Sequence, residues 1–269
     1  MRLKIEIASL SDTGKMRNNN EDNALVDHIL GLAIVADGMG GHSSGEVASS
    51  MAVKVTRDKF ESMRNTGLKP GAYDDKYALE TNQLGFAVQL ANSVIYETGN
   101  SAPENKGMGT TLSAILLVGG KISIVHIGDS SVYLFRDGVL QQVTEDHSLV
   151  MEHVRKGLLT LEQAEKSPLQ NILTRALGAQ KTPQVDLKEI AVMENDRFLL
   201  CTDGLFKAVP LDKIAEILKT TPDGQKACDL LVRTANDNGG PDNVTVIVGT
   251  LKKKTLKETL GDMLKKSYA

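Results

Sequence analysis

Short apolar segments separated by turn residues dominate the pattern of this chain. Runs of about four to eight apolar residues, and runs in which apolar and polar residues alternate, predict β-strands. They occur at residues 3–9, 24–27, 31–36, 110–118, 121–127, 131–136, 139–143, 187–192, 197–202 and 244–251. Gly119-Gly120 and Asp137-Gly138 each join two of these runs directly, which predicts β-hairpins.

Helical periodicity occurs in separate blocks between the strands. Apolar residues spaced three and four apart predict helices at 44–60, 77–98, 211–219 and 224–236, with shorter pieces around 150–156 and 161–165. The predicted stripe of the first helix contains Ala48, Ala52, Val55 and Lys59, and that of the second contains Leu84, Ala87, Val88, Ala91 and Val94. Strands in hairpins and helices in separate blocks favour an α+β fold with antiparallel sheets.

Four of the apolar strands have a carboxylate at one end. Asp37, Asp129 and Asp203 follow strands, and Asp242 directly precedes the last one. A carboxylate at the end of a buried strand is costly unless something pairs with it. If the sheets bring these ends together, the acids form a cluster that a divalent cation would stabilise. A single Asp-Gly step, in contrast, is also typical of a plain turn.

Two further stretches add polar chemistry near the N-terminus. Arg17 lies beside the acidic pair Glu21 and Asp22. The glycines after Asp37 let the backbone approach a ligand closely, and the pair Ser43 and Glu46 has the spacing of a helix capping box. An aspartate before a glycine-rich turn suits a hard cation, because such cations prefer carboxylate and carbonyl oxygens.

Composition restricts the class of protein. The 269 residues are 41% hydrophobic, which is enough for one large core. No apolar run reaches the roughly 18 residues of a membrane span, and the N-terminus lacks the apolar region of a signal peptide. Cys201 and Cys228 both lie in core patterns, so we expect a cytoplasmic protein without disulfides. The net charge of −3 gives no reason to expect nucleic-acid binding. As to oligomeric state, we expect a monomer.

The C-terminal segment 252–269 differs in charge from the rest. Residues 251–269 contain six lysines against Glu258 and Asp262, a net charge of +4, while the 25 basic and 32 acidic side chains of residues 1–250 give −7. Leu256, Leu260, Met263 and Leu264 predict an amphipathic helix. We therefore divide the chain into a domain, 1–251, and a basic tail, 252–269, that either docks on the domain or serves as a docking appendage.

Several catalytic chemistries have no sequence support. Lys15 and Lys121 follow glycines but precede Met16 and Ile122, which excludes a P-loop. There is no Gly-x-Ser-x-Gly elbow, no cysteine followed at the right distance by a phosphate-binding arginine, and no His-Glu-x-x-His array. Covalent catalysis has no obvious nucleophile, so metal-activated water is the remaining possibility.

Seven motifs occur along residues 5–250 in the order of a known family. They are Arg17-x-x-Asn20-Glu21-Asp22, Val35-Ala36-Asp37-Gly38-Met39-Gly40-Gly41-His42, Gly109-Thr110-Thr111, Gly128-Asp129-Ser130, Leu173-Thr174-Arg175-Ala176-Leu177-Gly178, Thr202-Asp203-Gly204-Leu205 and Asp242-Asn243-Val244-Thr245. With these motifs the chain resembles the type-2C, or PPM, family of metal-dependent Ser/Thr protein phosphatases in its bacterial form.

The resemblance implies a fold and a set of metal ligands. The fold would be a sandwich of two antiparallel β-sheets with helices on both outer faces and a binuclear Mn²⁺ or Mg²⁺ site at one end. By position, the ligands would be Asp37 bridging both ions, the Gly38 carbonyl, Asp203 and Asp242 on the first ion, Asp22 with Glu21 on the second, and Asp129 with Asp203 on a possible third. Residues 145–182 would correspond to a mobile flap beside the site.

The resemblance also implies a mechanism, in which a metal-bridging hydroxide attacks phosphorus directly. Arg17 would grip the substrate phosphate, and its alternative role is that of a structural partner for Glu21 or Asp22. Many eukaryotic relatives have a histidine after the bridging Asp-Gly, but this chain has Met39 there. His42 is a weaker candidate for the general acid than a metal-bound water.

The function implied is removal of phosphate from phosphoserine and phosphothreonine in proteins, opposite a Ser/Thr protein kinase. Two alternatives stay open. One is a regulatory phosphatase dedicated to a single signalling partner. The other is a phosphoprotein-binding module that keeps the fold without catalysis, and it is disfavoured because Asp22, Asp37, Asp203 and Asp242 are all present.

Overall fold

The computed structural model describes residues 3–40, 44–255 and Glu258, and shows eleven strands in two sheets. The strands are β1 Leu3–Asp12, β2 Asp22–Asp27, β3 Leu32–Met39, β4 Gly109–Thr110, β5 Leu112–Val118, β6 Lys121–Ile127, β7 Ser131–Arg136, β8 Val139–Gln142, β9 Asp186–Ala191, β10 Arg197–Cys201 and β11 Val244–Lys253. One sheet has the order β1-β11-β10-β7-β8, and the other has the order β2-β3-β5-β6-β9 with β4 paired to β3. All strand pairs are antiparallel.

Helices cover the outer face of each sheet. They are α1 Ser44–Thr66, α2 Leu79–Ser101, α3 Leu149–Arg155, α4 Leu161–Glu165, α5 Asp203–Ala208, α6 Leu211–Thr220 and α7 Gly224–Asp237. The helices α1 and α2 pack on the sheet that contains β3, and α5 to α7 pack on the sheet that contains β11. The predicted α+β sandwich of two antiparallel sheets with helices on both outer faces is therefore confirmed.

Strand β3 is apolar from Leu32 to Ala36 because both of its faces are covered. Ala33 and Val35 face the core between the two sheets, whereas Leu32, Ile34 and Ala36 face α1 and α2. Successive residues of a strand point to opposite faces, so a strand covered on both sides needs apolar residues throughout. The acidic residue Asp37 comes only near the end of this strand, where the covered part of the sheet stops.

The predicted apolar stripes were partly wrong. In α1 the buried positions after Ala52 are Val53, Thr56, Phe60 and Met63, rather than Val55 and Lys59. In α2 the last buried position is Ile95, and Val94 is exposed. Burying a phenylalanine is worth about 1.5–3 kcal/mol. We infer that the contact with the sheet selects the face that carries Phe60 and leaves the charged Lys59 in solvent.

The predicted flap, 145–182, contains α3 and α4, and two backbone hydrogen bonds join its first part to its returning part. The Leu149 amide donates to the Ile172 carbonyl at 2.8 Å, and the Thr174 amide donates to the His147 carbonyl at 2.7 Å. Further along, Leu177 exchanges two backbone hydrogen bonds with Thr110. At the other end, the His147 amide donates to the Gly128 carbonyl at 2.9 Å, just after β6. The flap is thus attached near both of its ends, beside β6 and β4.

Strand β11 extends beyond its predicted end. Lys252 and Lys253 pair with β1, so the start of the predicted tail belongs to the sheet. The Thr255 amide donates to the Glu258 carboxylate at 2.7 Å, and Lys4 donates to the same carboxylate at 2.9 Å. The predicted stripe of Leu256, Leu260, Met263 and Leu264 lies outside the described residues. Within the described part of the chain, no helix combines the length and apolar character needed to cross a membrane.

Candidate active site

The acidic ends of the strands meet at one end of the sandwich. Asp22 opens β2 and lies directly opposite Asp37 in the β2–β3 register. Asp203 directly follows Thr202 at the end of β10, and Asp242 lies just before the neighbouring antiparallel strand β11. The Thr202 hydroxyl donates to the Asp22 carboxylate at 2.8 Å, so a hydrogen bond links the two sheets at this point.

Burial and mutual repulsion dominate the electrostatics of these acids. Burial raises the pKa of Asp37 well above its ordinary value, and the charges of Asp22, Asp203, Asp129 and Asp242 raise it further. Burial raises the pKa of Asp22 to about 7, against hydrogen bonds from Thr245 and Thr202 that lower it. Burial and the charge of Asp203 raise the pKa of Asp129 to about 8. Carboxylates this close cannot all stay ionised without a cation among them.

The donor atoms fit a hard divalent cation. Asp22 Oδ1 and Asp203 Oδ1 are buried and have no hydrogen-bond partner within the described residues. An unpaired buried carboxylate oxygen is costly, and it is the type of ligand that Mg²⁺ and Mn²⁺ prefer. No three His, Cys, Asp or Glu side chains of residues 3–40 and 44–255 form a group that holds an ion by themselves. Since Mg²⁺ usually keeps several waters and binds only one or two carboxylates, a closed cage is not required.

Arg17 lies at the rim of this cluster. Its guanidinium donates to both oxygens of Asp242, at 2.9 and 3.0 Å, and its side chain is 52% exposed. Neither Glu21 nor Asp22, the partners expected for a structural role, is among its described partners. About half of the side-chain surface of Arg17 therefore faces solvent next to the acidic cluster.

Asn243 shapes the loop that carries Arg17. Its side-chain amide donates to the carbonyls of Thr13 and Asn19, at 2.9 and 2.8 Å, and its oxygen accepts from the Glu21 amide at 2.9 Å. Three hydrogen bonds from one buried side chain hold the loop against the start of β11. Sequence analysis placed Asn243 in a motif but assigned it no role, because its partners are more than 200 residues away.

Gly38 and Glu21 pack closely against the first turn of α1. A Cβ atom on Gly38 would overlap the backbone of Gly45 and Glu21, so this position needs a glycine for close approach. The Glu21 carbonyl accepts from the Gly38 amide at 3.1 Å and from the Ser49 hydroxyl at 2.6 Å. The Glu21 carboxylate accepts from Asn19 at 3.2 Å. These contacts bring β2, β3 and α1 together next to Asp37.

Asp129 lies in the middle of the loop between β6 and β7, and a histidine pair supports that loop. The Gly128 amide donates to Nδ1 of His147 at 3.1 Å, and Nε2 of His147 lies 3.0 Å from Asp186. The buried His126 ring lies 4.7 Å from the His147 ring, centroid to centroid. Sequence analysis assigned no function to His126 or His147, and their spacing along the chain carries no recognisable signal.

Lys207 is a further residue of the site to which sequence analysis assigned no role. Its ammonium contacts the Asp203 carboxylate, and it donates to the Asn171 side-chain oxygen of the flap at 3.0 Å. Sequence analysis placed Asp203 after a strand and predicted no helix before residue 211, but α5 begins at Asp203. The i, i+4 spacing of Asp203 and Lys207 would have been informative if that helix had been predicted. His42, the candidate general acid, lies outside the described residues.

Comparison with known proteins agrees with this geometry. Residues 17–261 match the family model described as Protein phosphatase 2C. The serine/threonine phosphatase stp of Listeria monocytogenes is 38% identical over 241 residues, which is 88% of this chain and 92% of that protein. The crystal structure of PstP/Ppp from Mycobacterium tuberculosis superposes with a TM-score of 0.79 at 37% identity, covering 93% of this chain and 99% of that one. The catalytic domain of PstP in complex with two manganese ions gives 0.78 at 37% identity, covering 94% and 100%. The chain belongs to the protein phosphatase 2C family.

Proposed function

We propose that this protein is a Ser/Thr protein phosphatase that uses Mn²⁺ or Mg²⁺ to hydrolyse phosphoserine and phosphothreonine in proteins. The observation that carries the proposal is the group of buried acids around Asp37, in which two carboxylate oxygens lack hydrogen-bond partners among the described residues. The chain belongs to a phosphatase family, and its relative PstP binds two manganese ions.

The residues that would hold two ions follow from their positions. Asp37 is surrounded by the charges of the other acids, which suits a ligand shared by both ions, and the Gly38 carbonyl adds an oxygen next to it. Asp203 and Asp242 would serve the first ion, and Asp22 with Glu21 the second. When bound, such a pair activates water as the nucleophile and neutralises charge on the phosphate.

Arg17 would bind the phosphate of the substrate. Its fork of N–H donors matches two phosphate oxygens, a geometry that a lysine cannot offer. Asp242 orients the guanidinium, while Asn243 holds the loop on which it stands. Arg17 would thereby place the phosphate next to the acidic cluster, and this positioning is its contribution to the reaction.

We propose that the partners are phosphorylated proteins and the Ser/Thr kinase that modifies them. We also propose that the protein is located in the cytoplasm. The thiols of Cys201 and Cys228 are buried, and burial raises the pKa of both, so neither is a reactive nucleophile. A phosphatase dedicated to one partner would show a strong preference within a panel of phosphoproteins, whereas a general one would not.

The proposal is tested by phosphate release from phosphoserine and phosphothreonine peptides. Wild-type protein should lose activity in excess chelator and regain it with Mn²⁺ or Mg²⁺. Asp37→Asn should abolish turnover while the protein stays folded, and Asp75→Asn, which changes an exposed aspartate in the loop before α2, should leave turnover unchanged. Full activity in excess chelator would exclude a metallophosphatase. A protein that binds phosphopeptides and metal without turnover would be the binding module instead.

A further inference from the structure

A lysine ammonium lies beside the acids expected to bind a third ion. Because α5 starts at Asp203, Lys207 is one helical turn further on, and its side chain returns to the Asp203 carboxylate. The side chain of Lys207 is 30% exposed and that of Asp203 is 10% exposed. The pair is therefore mostly shielded from solvent, where a charge contact is stronger than at the surface.

The charge of Lys207 acts on Asp129 as well as on Asp203. Although burial alone would lower the pKa of Lys207, the charges of Asp203, Asp129 and Asp242 raise it. In the opposite direction, Lys207 lowers the pKa of Asp129 and of Asp203 against the effect of burial. One positive charge thus contacts Asp203 directly and is close enough to Asp129 to act on its carboxylate; these are the two groups that were expected to coordinate the third ion.

The residues around Lys207 do not fit an additional divalent cation. Such an ion between Asp129 and Asp203 would stand close to the Lys207 ammonium, which contacts Asp203, and like charges repel each other strongly where solvent screening is weak. Asp203 is also one of the ligands proposed for the main pair. An ion would have to displace the lysine before it could bind.

Lys207 also connects the site to the flap. Its ammonium donates to Asn171, which lies in the flap between α4 and the returning segment at Leu173. Asn171 is exposed, and it therefore gains little from burial at this position. The hydrogen bond to Lys207 is a direct link between the flap and α5.

We infer that Lys207 acts as a built-in cation that replaces a third metal ion between Asp129 and Asp203 and ties the flap to this end of the sandwich through Asn171. This inference rests on the proposed metallophosphatase function. Lys207 is a positioning residue, since it orients Asp203 and the flap and does not contact the reacting phosphate.

The first test is the number of Mn²⁺ ions bound at saturation, measured by equilibrium dialysis and elemental analysis of the full-length protein. Wild type should bind two ions per chain. Lys207→Asp, which replaces the cation with a third carboxylate, should bind three. The matched control Lys213→Asp makes the same change on the exposed side of α6, where Glu216 is the recorded ion-pair partner of Lys213 among the described residues, and should bind two. Thermal unfolding checks that each variant is folded.

The outcomes separate the inference from the function on which it rests. Three ions in wild type, reduced to two by Asp129→Asn, would overturn the role of Lys207 and leave the proposed function intact. A folded Lys207→Asp protein that still binds two ions would also overturn it, since the lysine would not be what excludes the third. No bound Mn²⁺ in wild type would overturn both the inference and the proposed function.

The second test concerns the flap and does not depend on catalysis. Asn171→Ala removes the tether but keeps the Lys207–Asp203 pair, so hydrogen exchange within 145–182 should become several-fold faster while the metal count stays at two. Gln170→Ala changes the neighbouring exposed side chain and should leave exchange unchanged. Equal exchange rates in wild type, Asn171→Ala and Lys207→Ala would contradict the tether.

Discussion

Individual carboxylates at the end of the sandwich are buried, although burial disfavours their charged form. Asp22, Asp129 and Asp203 are 5%, 8% and 7% exposed, and each has a raised pKa because burial disfavours its charge. Such groups reduce the stability of the fold unless a cation neutralises them. At the level of single residues, the site therefore combines buried acids that have raised pKa values with two cationic side chains, those of Arg17 and Lys207.

Arg17→Ala should separate phosphate binding from metal binding. Loss of the fork should raise KM or lower kcat/KM by about tenfold or more, a barrier change of at least roughly 1.4 kcal/mol, with Mn²⁺ affinity nearly unchanged. Arg17→Lys should recover little of this, because an ammonium lacks the fork. Steady-state kinetics and Mn²⁺ titration give both quantities, and Lys15→Ala, on the same loop, is the control. A large loss of metal affinity at unchanged KM would indicate that Arg17 has a structural role.

His126 should make the stability of the protein depend on pH. Burial, reinforced by the neighbouring His147, lowers the pKa of His126 from 6.5 to about 3. Between these two values the unfolded chain binds the proton and the folded chain does not, so folding stability falls as the pH drops below about 6.5. From pH 6.5 to 5 this single residue should cost on the order of 2 kcal/mol.

The measurement is urea unfolding of wild type and His126→Gln at pH 7.5 and pH 5. Glutamine can still bond to Ser113 and to the Glu145 carbonyl, which are the two partners of the imidazole, but it does not titrate. The variant should lose less stability on acidification than wild type does. His28→Gln, at an exposed position, should behave like wild type. An identical pH slope in wild type and His126→Gln would show that His126 is protonated at little cost.

Close packing between elements decides the geometry of the site at the next scale. The start of α5 crosses the start of β11, and a Cβ atom on Gly204 would overlap the carbonyl oxygen of Asn243. Asn243 in turn holds the loop of Arg17 and the amide of Glu21. A shift at this crossing therefore reaches Asp242, Arg17 and Asp203 at once.

Gly204→Ala should displace these residues of the site, because the added Cβ atom would overlap the carbonyl oxygen of Asn243. Overpacking in a well-packed region typically costs about 1–3 kcal/mol, and we expect a lower melting temperature together with at least a tenfold loss of kcat/KM. The matched control is Gly224→Ala in the first turn of α7, where the added Cβ would make an ordinary contact with Ala8 at 3.4 Å. Thermal unfolding and peptide dephosphorylation compare the two. Wild-type activity in Gly204→Ala would mean that this crossing does not position the site.

For the whole molecule, the central fact is the contrast between a domain with a negative charge and a positive C-terminal segment. The described part of that segment belongs to the domain, because Lys252 and Lys253 pair with β1 and Glu258 bonds to Lys4. The acidic cluster lies at strand ends, and Lys4 and Lys253 lie at the opposite end of the β1–β11 pair from Asp12 and Val244. The beginning of the segment is thus remote from the candidate active site.

Deletion of residues 256–269 should therefore leave the chemistry intact. Turnover of a small aryl phosphate should stay within about twofold of wild type, a barrier change below roughly 0.5 kcal/mol. Activity on a phosphoprotein should fall only if the segment docks substrates. The comparison uses both substrates, with circular dichroism as the check on folding. A tenfold loss on the aryl phosphate in a folded protein would contradict our view of the segment as an appendage.

The sequence by itself determined most of the strands and helices and placed several acids at the ends of strands. Strand periodicity, Gly-Gly and Asp-Gly turns, and carboxylates at strand ends are local signals, because neighbouring residues alone fix which face of a strand is apolar and where it stops. Those signals placed Asp37 and Asp203 each at the end of a strand and left open whether these ends meet. The resemblance to a family then supplied a role for each acid, which spacing alone would not have given.

Only the tertiary structure decided which side chains meet. Phe60 rather than Lys59 is buried because α1 packs on β3, and Arg17 pairs with Asp242, which is 225 positions away, because both stand at the same sheet edge. The contacts of Lys207 with Asp203 and Asn171 need a helix at α5 and a returning flap, neither of which leaves a clear local pattern. Such contacts depend on packing between distant segments, so the sequence carries them only through the fold.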